Sequence, residues 1–383
     1  MSAMRAFRLL PALQTTVNSA KSTLLGRQPL QTQFTKCCRG VTSFQIIYND
    51  HGDPRQVLAD RMEPLPSLKE NEVLVKMLMA PINPSDINMV EGTYFIRPPL
   101  PAIVGNEGVG EVVEAGTAVK GLRPGDWVNP ADSGWGTWRT FAVCGENDLS
   151  KVANDIPVLG AATLIVNPCT AYRMLKDYVA LKPGDVVMQN GANSAVGQAV
   201  IQLAREWKFT TVNIVRNRPD LDGLVSSLKA LGANHVITDE FCRSSDMKSF
   251  MQSLPGKPKL ALNCVGGKSA TELLRNLGQK GVMVTYGGMS RQPVTVPTGT
   301  LIFKEVQVLG YWNTEWNKDH RDSPAKEEMI SELCDLMRRR KFLPPESDIF
   351  SLDMYKEAVR AATEGFKPKK VVLKIDKESG AED

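Results

Sequence analysis

The chain has 383 residues, 42% of them hydrophobic and 23% charged, which is enough for a sizeable core and about two domains of ordinary size. No run is apolar for long enough to span a bilayer, which argues against membrane insertion. Seven cysteines without regular spacing offer no disulfide framework and read as reduced, packed thiols of an intracellular protein.

The formal charge of +4 is unevenly distributed. Residues 1–49 hold Arg5, Arg8, Lys21, Arg27, Lys36 and Arg39, with no acid before Asp50. Setting these aside turns the excess of 46 basic over 42 acidic residues into a slight acidic excess. Dispersed basic residues among Ser, Thr and Gln, without a continuous apolar h-region, read as a mitochondrial transit peptide over residues 1–40. A disordered basic tail that contacts nucleic acid is the plainer alternative. For the folded part, neither a nucleic-acid partner nor membrane insertion is expected.

Beyond the leader, residues 44–48 and 72–80 have strand character, the second run closed by the turn signals Pro81 and Pro84. Short strands follow at 108–115 and 126–128, punctuated by glycine and proline, as in a compact β-rich or barrel-like domain. The period then changes. Residues 161–175 predict a helix, and 185–190 a buried strand ending at Gly191. A helix over 195–207, a strand over 210–215, a helix over 221–230 and a strand over 235–237 come next. Strands at 259–265, 281–286 and 306–311, with a helix over 269–277, complete an alternation that predicts a parallel sheet with helical crossovers. A helix near 326–339 and a strand at 370–375 occupy the tail. The expected division is a first domain at 41–165, a cofactor domain at 166–314 and a return to the first domain over 315–383.

The sharpest local feature runs from Gln189 to Val200, where a buried strand feeds a turn of small residues that opens a helix. Gly191 suits a backbone that side chains disfavour, and Gly197 allows helix and sheet to approach closely. The helix start presents amide groups and partial positive charge to a pyrophosphate. It is an imperfect GxGxxG, and its strand–turn–helix setting gives it weight. One crossover later, where an acid would select NAD, the chain carries Arg216-Asn217-Arg218. Two guanidiniums suit a ribose 2′-phosphate and favour NADPH, although a solvent-facing basic loop has the same composition.

A metal site is not expected. The three histidines, His51, His235 and His320, are scattered, and Cys144, Cys169, Cys242, Cys264 and Cys334 show no CxxC spacing. Trp127 and Trp138 read as architectural, and Ser85 and Asp86 as helix caps with at most a supporting role in a site. Lys304 and residues 338–341 are either solvated or placed to meet an anionic carrier.

Several separated words carry a resemblance. They are Pro81-Ile82-Asn83-Pro84-Ser85-Asp86-Ile87-Asn88, Gly92-Thr93-Tyr94, Gly105-Asn106-Glu107-Gly108, Pro124-Gly125-Asp126-Trp127-Val128 and Gly136-Thr137-Trp138. With Asn167-Pro168-Cys169-Thr170-Ala171-Tyr172, Leu262-Asn263-Cys264-Val265-Gly266-Gly267 and Thr285-Tyr286-Gly287-Gly288-Met289, the chain from residue 43 onward resembles the mitochondrial enoyl-thioester reductases. These belong to the zinc-free, quinone-reductase-like branch of the medium-chain dehydrogenase/reductases.

The resemblance implies an α/β protein, with a GroES-like β-rich catalytic domain beside a Rossmann domain. It implies NADPH-dependent reduction of trans-2-enoyl thioesters of acyl carrier protein or CoA, in the mitochondrion, by a homodimer. It makes Tyr94 the catalytic tyrosine. Asn193, Ser194, Ala195, Val196, Arg216, Asn217, Arg218, Tyr286, Gly287, Gly288 and Met289 become NADPH contacts. Asn167, Tyr311, Trp312, Asn313 and Lys370 line the cofactor further; the family more often has Phe where Tyr311 stands. The alternatives are an NADPH:quinone oxidoreductase and a non-enzymatic nicotinamide-binding interaction protein.

Overall fold

Alternating apolar residues build the first sheets. In the computed structural model, which describes residues 41–364 and 369–375, β1 (Thr42–Tyr48) pairs antiparallel with β2 (Leu58–Pro64). The ten-residue β3 (Glu72–Pro81) buries Val73, Val75 and Met77, and is followed by β4 (Ala102–Ile103), β5 (Val109–Ala115), β6 (Trp127–Pro130), β7 (Phe141–Gly145) and β8 (Leu149–Val152). Trp138 is fully buried among them, as an architectural residue should be. Full burial of a side chain such as Ile46 contributes about 1.5–3 kcal/mol over leaving it exposed. The expected transit segment lies outside the described residues.

The second half is a parallel sheet. Strands β9 (Val186–Gln189), β10 (Thr210–Val215), β11 (His235–Thr238), β12 (Leu260–Asn263), β13 (Val282–Thr285) and β14 (Gln307–Gly310) lie in the order β11-β10-β9-β12-β13-β14. Every neighbouring pair is parallel. β9 and β12 are buried along their whole length, as strands covered on both faces must be. The order reverses between β9 and β12, which leaves a crevice beyond their carboxyl ends. The chain is thus a GroES-like β-domain joined to a Rossmann-like sheet.

Two late strands, β15 (Ser347–Ser351) and β16 (Lys370–Lys374), join the first half: β16 pairs with β3, with Val372 opposite Pro81. That register carries Lys370 to the level of Asn83, and Ile82 N donates to Val371 O at 2.9 Å. Among the described residues, no helix is long and apolar enough to cross a membrane.

The expected helix over 161–175 is two helices, Val158–Ala162 and Asn167–Asp177. Pro168 is the reason: it lacks an N–H and its ring clashes with the preceding turn, so it starts a helix and cannot continue one. The apolar period ran through the break because Leu164 is buried in the same core. Lys304 is half-buried, and its ammonium donates to the Arg275 and Leu277 carbonyls at 2.7 and 3.0 Å. Arg338 is held by Asp155 and Asp335.

Candidate active site

At the crevice, two asparagines tie the central strands together. Asn190 Nδ2 donates to Asn263 Oδ1 at 2.8 Å, and Asn190 Oδ1 accepts from Cys264 N at 2.8 Å. Gly191 has φ 59°, and a Cβ there would lie 2.4 Å from Cys264 Sγ. Ser194 caps helix Ala195–Glu206 by accepting from Gly197 N at 3.1 Å. A Cβ on Gly197 would lie 2.5 Å from Ala192 O. The close approach is to the turn, and Gln189 Nε2 at the end of β9 donates to Gly197 O at 2.9 Å, so the helix also meets the sheet here, as the sequence suggested. Asn193, Ala195 and Val196 complete the turn, with the first amides at the positive end of the helix.

Ala192 N donates to Ile214 O at 3.2 Å, so the turn lies against the end of β10 and next to Arg216-Asn217-Arg218. Arg216 and Asn217 are exposed and Arg218 is half-buried. Burial, and then the charge of Arg216, lower the Arg218 pKa. Two guanidiniums that repel each other fit a doubly charged anion between them.

The loop after β13 meets the glycine turn through Tyr286, which lies beside Ser194. Tyr286 N donates to Asn263 O at 3.0 Å and Met289 N to Cys264 O at 2.9 Å. Burial holds the Tyr286 phenol, set beside Cys264 and Ser194, well above its ordinary pKa. Gly287 is half-buried, while Gly288 and Met289 are exposed.

Tyr94 follows helix Pro84–Val90, in a turn fixed by Thr93 N and Tyr94 N, which donate to Asn88 O at 2.9 and 3.0 Å. Trp312 follows β14, and its Nε1–H donates to Tyr94 OH at 3.1 Å. An indole N–H only donates, so the phenol oxygen is the acceptor and the phenol hydrogen is left for another partner. Phe95 stands edge-on to Trp312, with ring centroids 5.4 Å apart. Tyr311 and Asn313 are placed differently. The Tyr311 ring packs into the core, its hydroxyl donates to Asn313 Oδ1 at 3.0 Å, and Asn313 Nδ2 donates to Ile165 O at 3.0 Å.

Asn167 and Lys370 meet through a residue that sequence reasoning did not single out. Asn83 Oδ1 accepts from Lys370 Nζ at 2.5 Å and from Asn167 Nδ2 at 3.4 Å. Asn83 Nδ2 donates to Glu107 Oε2 at 2.8 Å, and Val166 N donates to Glu107 Oε1 at 2.8 Å. Asp86 does serve the helix start, accepting from Asn83 N at 2.7 Å, and it also accepts from Asn106 N at 2.9 Å. Burial raises the Asp86 carboxyl to about 6 and Glu107 to about 7 against the lowering effect of Lys370. Lys370 keeps some exposed surface while its ammonium lies deep, and burial lowers its pKa. The signal for Asn106 and Glu107 was polarity in a segment that the fold buries, whereas Asn83, the N-cap of helix Pro84–Val90, was masked by its reading as part of a turn.

Among the described residues, no group of three or more His, Cys, Asp or Glu is placed to hold a metal ion. The Asp86 and Glu107 carboxylates accept from amides instead.

Residues 69–157 match the alcohol dehydrogenase GroES-like domain, and residues 195–331 match a model described as zinc-binding dehydrogenase. The mitochondrial enoyl-acyl-carrier-protein reductase of Xenopus tropicalis is 53% identical over 86% of this chain and 94% of that protein. The human protein of the same description is 52% identical over 86% of this chain and 87% of its own. Etr1p, the mitochondrial 2-enoyl thioester reductase of Candida tropicalis, superposes in its complex with NADP and crotonyl-CoA. Its TM-score is 0.82 at 36% identity, covering 88% of this chain and all of that one. With identity of this level over nearly the whole described fold, the chain belongs to the mitochondrial enoyl-acyl-carrier-protein reductase family of medium-chain dehydrogenase/reductases.

Proposed function

We propose that this protein reduces the trans-2 double bond of enoyl thioesters with NADPH, in mitochondrial fatty acid synthesis. The observation that carries the reading is the Tyr94–Trp312 pair, a phenol held by its oxygen with its hydrogen available, which joins the turn after helix Pro84–Val90 to the end of β14. The family's relatives support the substrate class and the mitochondrial setting.

The residues present fit the cofactor. The Gly191–Gly197 turn gives a helix start free of side-chain bulk, and the two arginines suit a 2′-phosphate. Asn193, Ser194, Ala195 and Val196 would hold the pyrophosphate, Arg216, Asn217 and Arg218 the adenosine end, and Tyr286 to Met289 the opposite wall. Asn167, Lys370 and Trp312 would line the nicotinamide end, with Tyr311 and Asn313 backing Trp312 from the core side. When bound, NADPH supplies a hydride to the β carbon of the substrate. The thioester oxygen then gains negative charge and the α carbon needs a proton. Tyr94 donates its hydrogen there, and Trp312 holds the phenol oxygen so that the hydrogen faces the substrate.

The thioester arrives on acyl carrier protein or on CoA. The protein works as a homodimer. Edge strand β14 is exposed along its length, and Val308 and Leu309 adjoin an apolar stretch of Leu301, Ile302 and Phe303, the last 76% exposed. An open strand edge beside such a patch is a template for a second copy.

An NADPH:quinone oxidoreductase would share the cofactor half. Purified protein given NADPH with crotonyl thioester or with a quinone separates the readings. Thioester reduction is expected; quinone turnover without thioester reduction would overturn the proposal.

A further inference from the structure

We infer that Glu107 is a positioning residue: its carboxylate fixes the Asn83 amide so that the amide oxygen faces Lys370 and Asn167 together. This rests on the proposed reading that Lys370 and Asn167 line the cofactor.

A carboxylate only accepts, and Glu107 uses both oxygens, one for Val166 N and one for Asn83 Nδ2, each at 2.8 Å. With the Asn83 nitrogen committed to Glu107, its oxygen must point the other way. There it accepts from Lys370 Nζ and Asn167 Nδ2. The Asn83 backbone is pinned by Asp86 Oδ2 at 2.7 Å, and Asp86 is held in turn by Asn106. The remaining freedom of Asn83 is a flip of its amide. Flipped, the NH2 would face an ammonium and a second NH2, three sets of donors without an acceptor. A carboxylate at 107 forbids that arrangement, whereas a neutral side chain with its own donor permits it.

The surroundings agree. Asn83, Asp86 and Glu107 are all at most 2% exposed, where a misdirected polar group is costly. The charged and titratable groups that act on Glu107 are Lys370 from β16, Asp86 from helix Pro84–Val90 and the Cys169 thiol from helix Asn167–Asp177. Glu107 also holds Val166 N, just before Asn167, so one side chain sets both the helix start and the amide that serves Lys370.

The test is NADPH affinity at pH 8, read by the fluorescence of the bound nicotinamide, in a double-variant cycle. Glu107→Gln is expected to weaken binding about fivefold, the scale of one hydrogen bond, and Lys370→Met by a similar factor. The double variant is expected to bind no more weakly than Lys370→Met alone, and Glu107→Asp to recover part of the loss. A merely structural role would make the two losses multiply. Multiplying losses, or wild-type affinity in Glu107→Gln, would overturn the proposal. Should Glu107→Gln not fold, Asn83→Ala with Lys370→Met forms the same cycle with the same expectation and the same overturning result. The titration needs no turnover. Absence of NADPH binding by the unaltered protein would overturn the cofactor reading and this proposal with it, while binding with multiplying losses counts against the relay alone.

Discussion

The indole Nε1–H of Trp312 donates to the phenol oxygen of Tyr94 at 3.1 Å, joining residues 218 positions apart in the chain. One comes from the turn after helix Pro84–Val90, the other from the end of the parallel sheet. Replacing Tyr94 by Phe removes the proton donor and keeps the ring. The expected result is a fall in kcat of about 100- to 10,000-fold, with NADPH affinity almost unchanged. Trp312→Phe keeps the aromatic contact and loses the N–H, and kcat should fall about five- to tenfold. Steady-state kinetics with a nucleotide titration checks both. Equal loss of affinity and kcat would mean that the pair holds the fold and not the reaction.

Arg216 and Arg218 are expected to choose the nucleotide. Substituting both by Ala should raise the KM for NADPH about 10- to 100-fold, the scale of charge-assisted hydrogen bonds, and leave the KM for NADH nearly as it was. Equal effects on both nucleotides would assign the arginines to the solvent-facing loop.

The glycine turn predicts a contrast between two positions. Gly197→Ala places a methyl group 2.5 Å from Ala192 O, a backbone atom that cannot swing away. It should cost about 1–3 kcal/mol of stability and weaken NADPH binding. A Cβ at Gly288 meets nothing within 4 Å, so Gly288→Ala should keep the wild-type Tm to within the scatter of surface substitutions. Calorimetry of the two variants tests the assignment, and equal Tm values would contradict it.

These features differ in how legible they were in the sequence. The alternation of buried strands and helices foretold the parallel sheet, because β9 and β12 are apolar up to their last residues, Gln189 and Asn263, and strands buried on both faces leave that mark. The glycine turn and the arginine pair were legible because they are contiguous. Strand β2, with Arg61 and Glu63 on an exposed edge, left no apolar pattern to find. The helix break at Pro168 was hidden by apolar residues that run through it. Tyr94 rested on resemblance, since nothing near it in the chain foretells Trp312. Asn83 and Glu107 are 24 positions apart, and only the folded backbone sets Lys370 beside them.

Glu107 also gives a pH dependence of stability. Burial raises its carboxyl from the usual 4.5 to about 7. Between those values the folded chain keeps a proton that the unfolded chain has lost, so ionisation opposes folding more strongly as pH rises, up to about 7. Glu107→Gln removes this dependence. Its stability relative to the wild type should rise with pH across that window, by at most about tenfold in the unfolding equilibrium per pH unit, and level off above it. Urea unfolding at a series of pH values reads the difference, and parallel curves would contradict the burial assigned to Glu107.

The most direct measurement is the fate of solvent hydrogen during reduction of a crotonyl thioester with NADPH in deuterated water. The account predicts a butyryl thioester with one deuterium at the α carbon, delivered through Tyr94, and none at the β carbon, in amounts equal to the NADPH consumed. NADPH consumption without saturated thioester, or a saturated product with solvent deuterium at the β carbon, would contradict it.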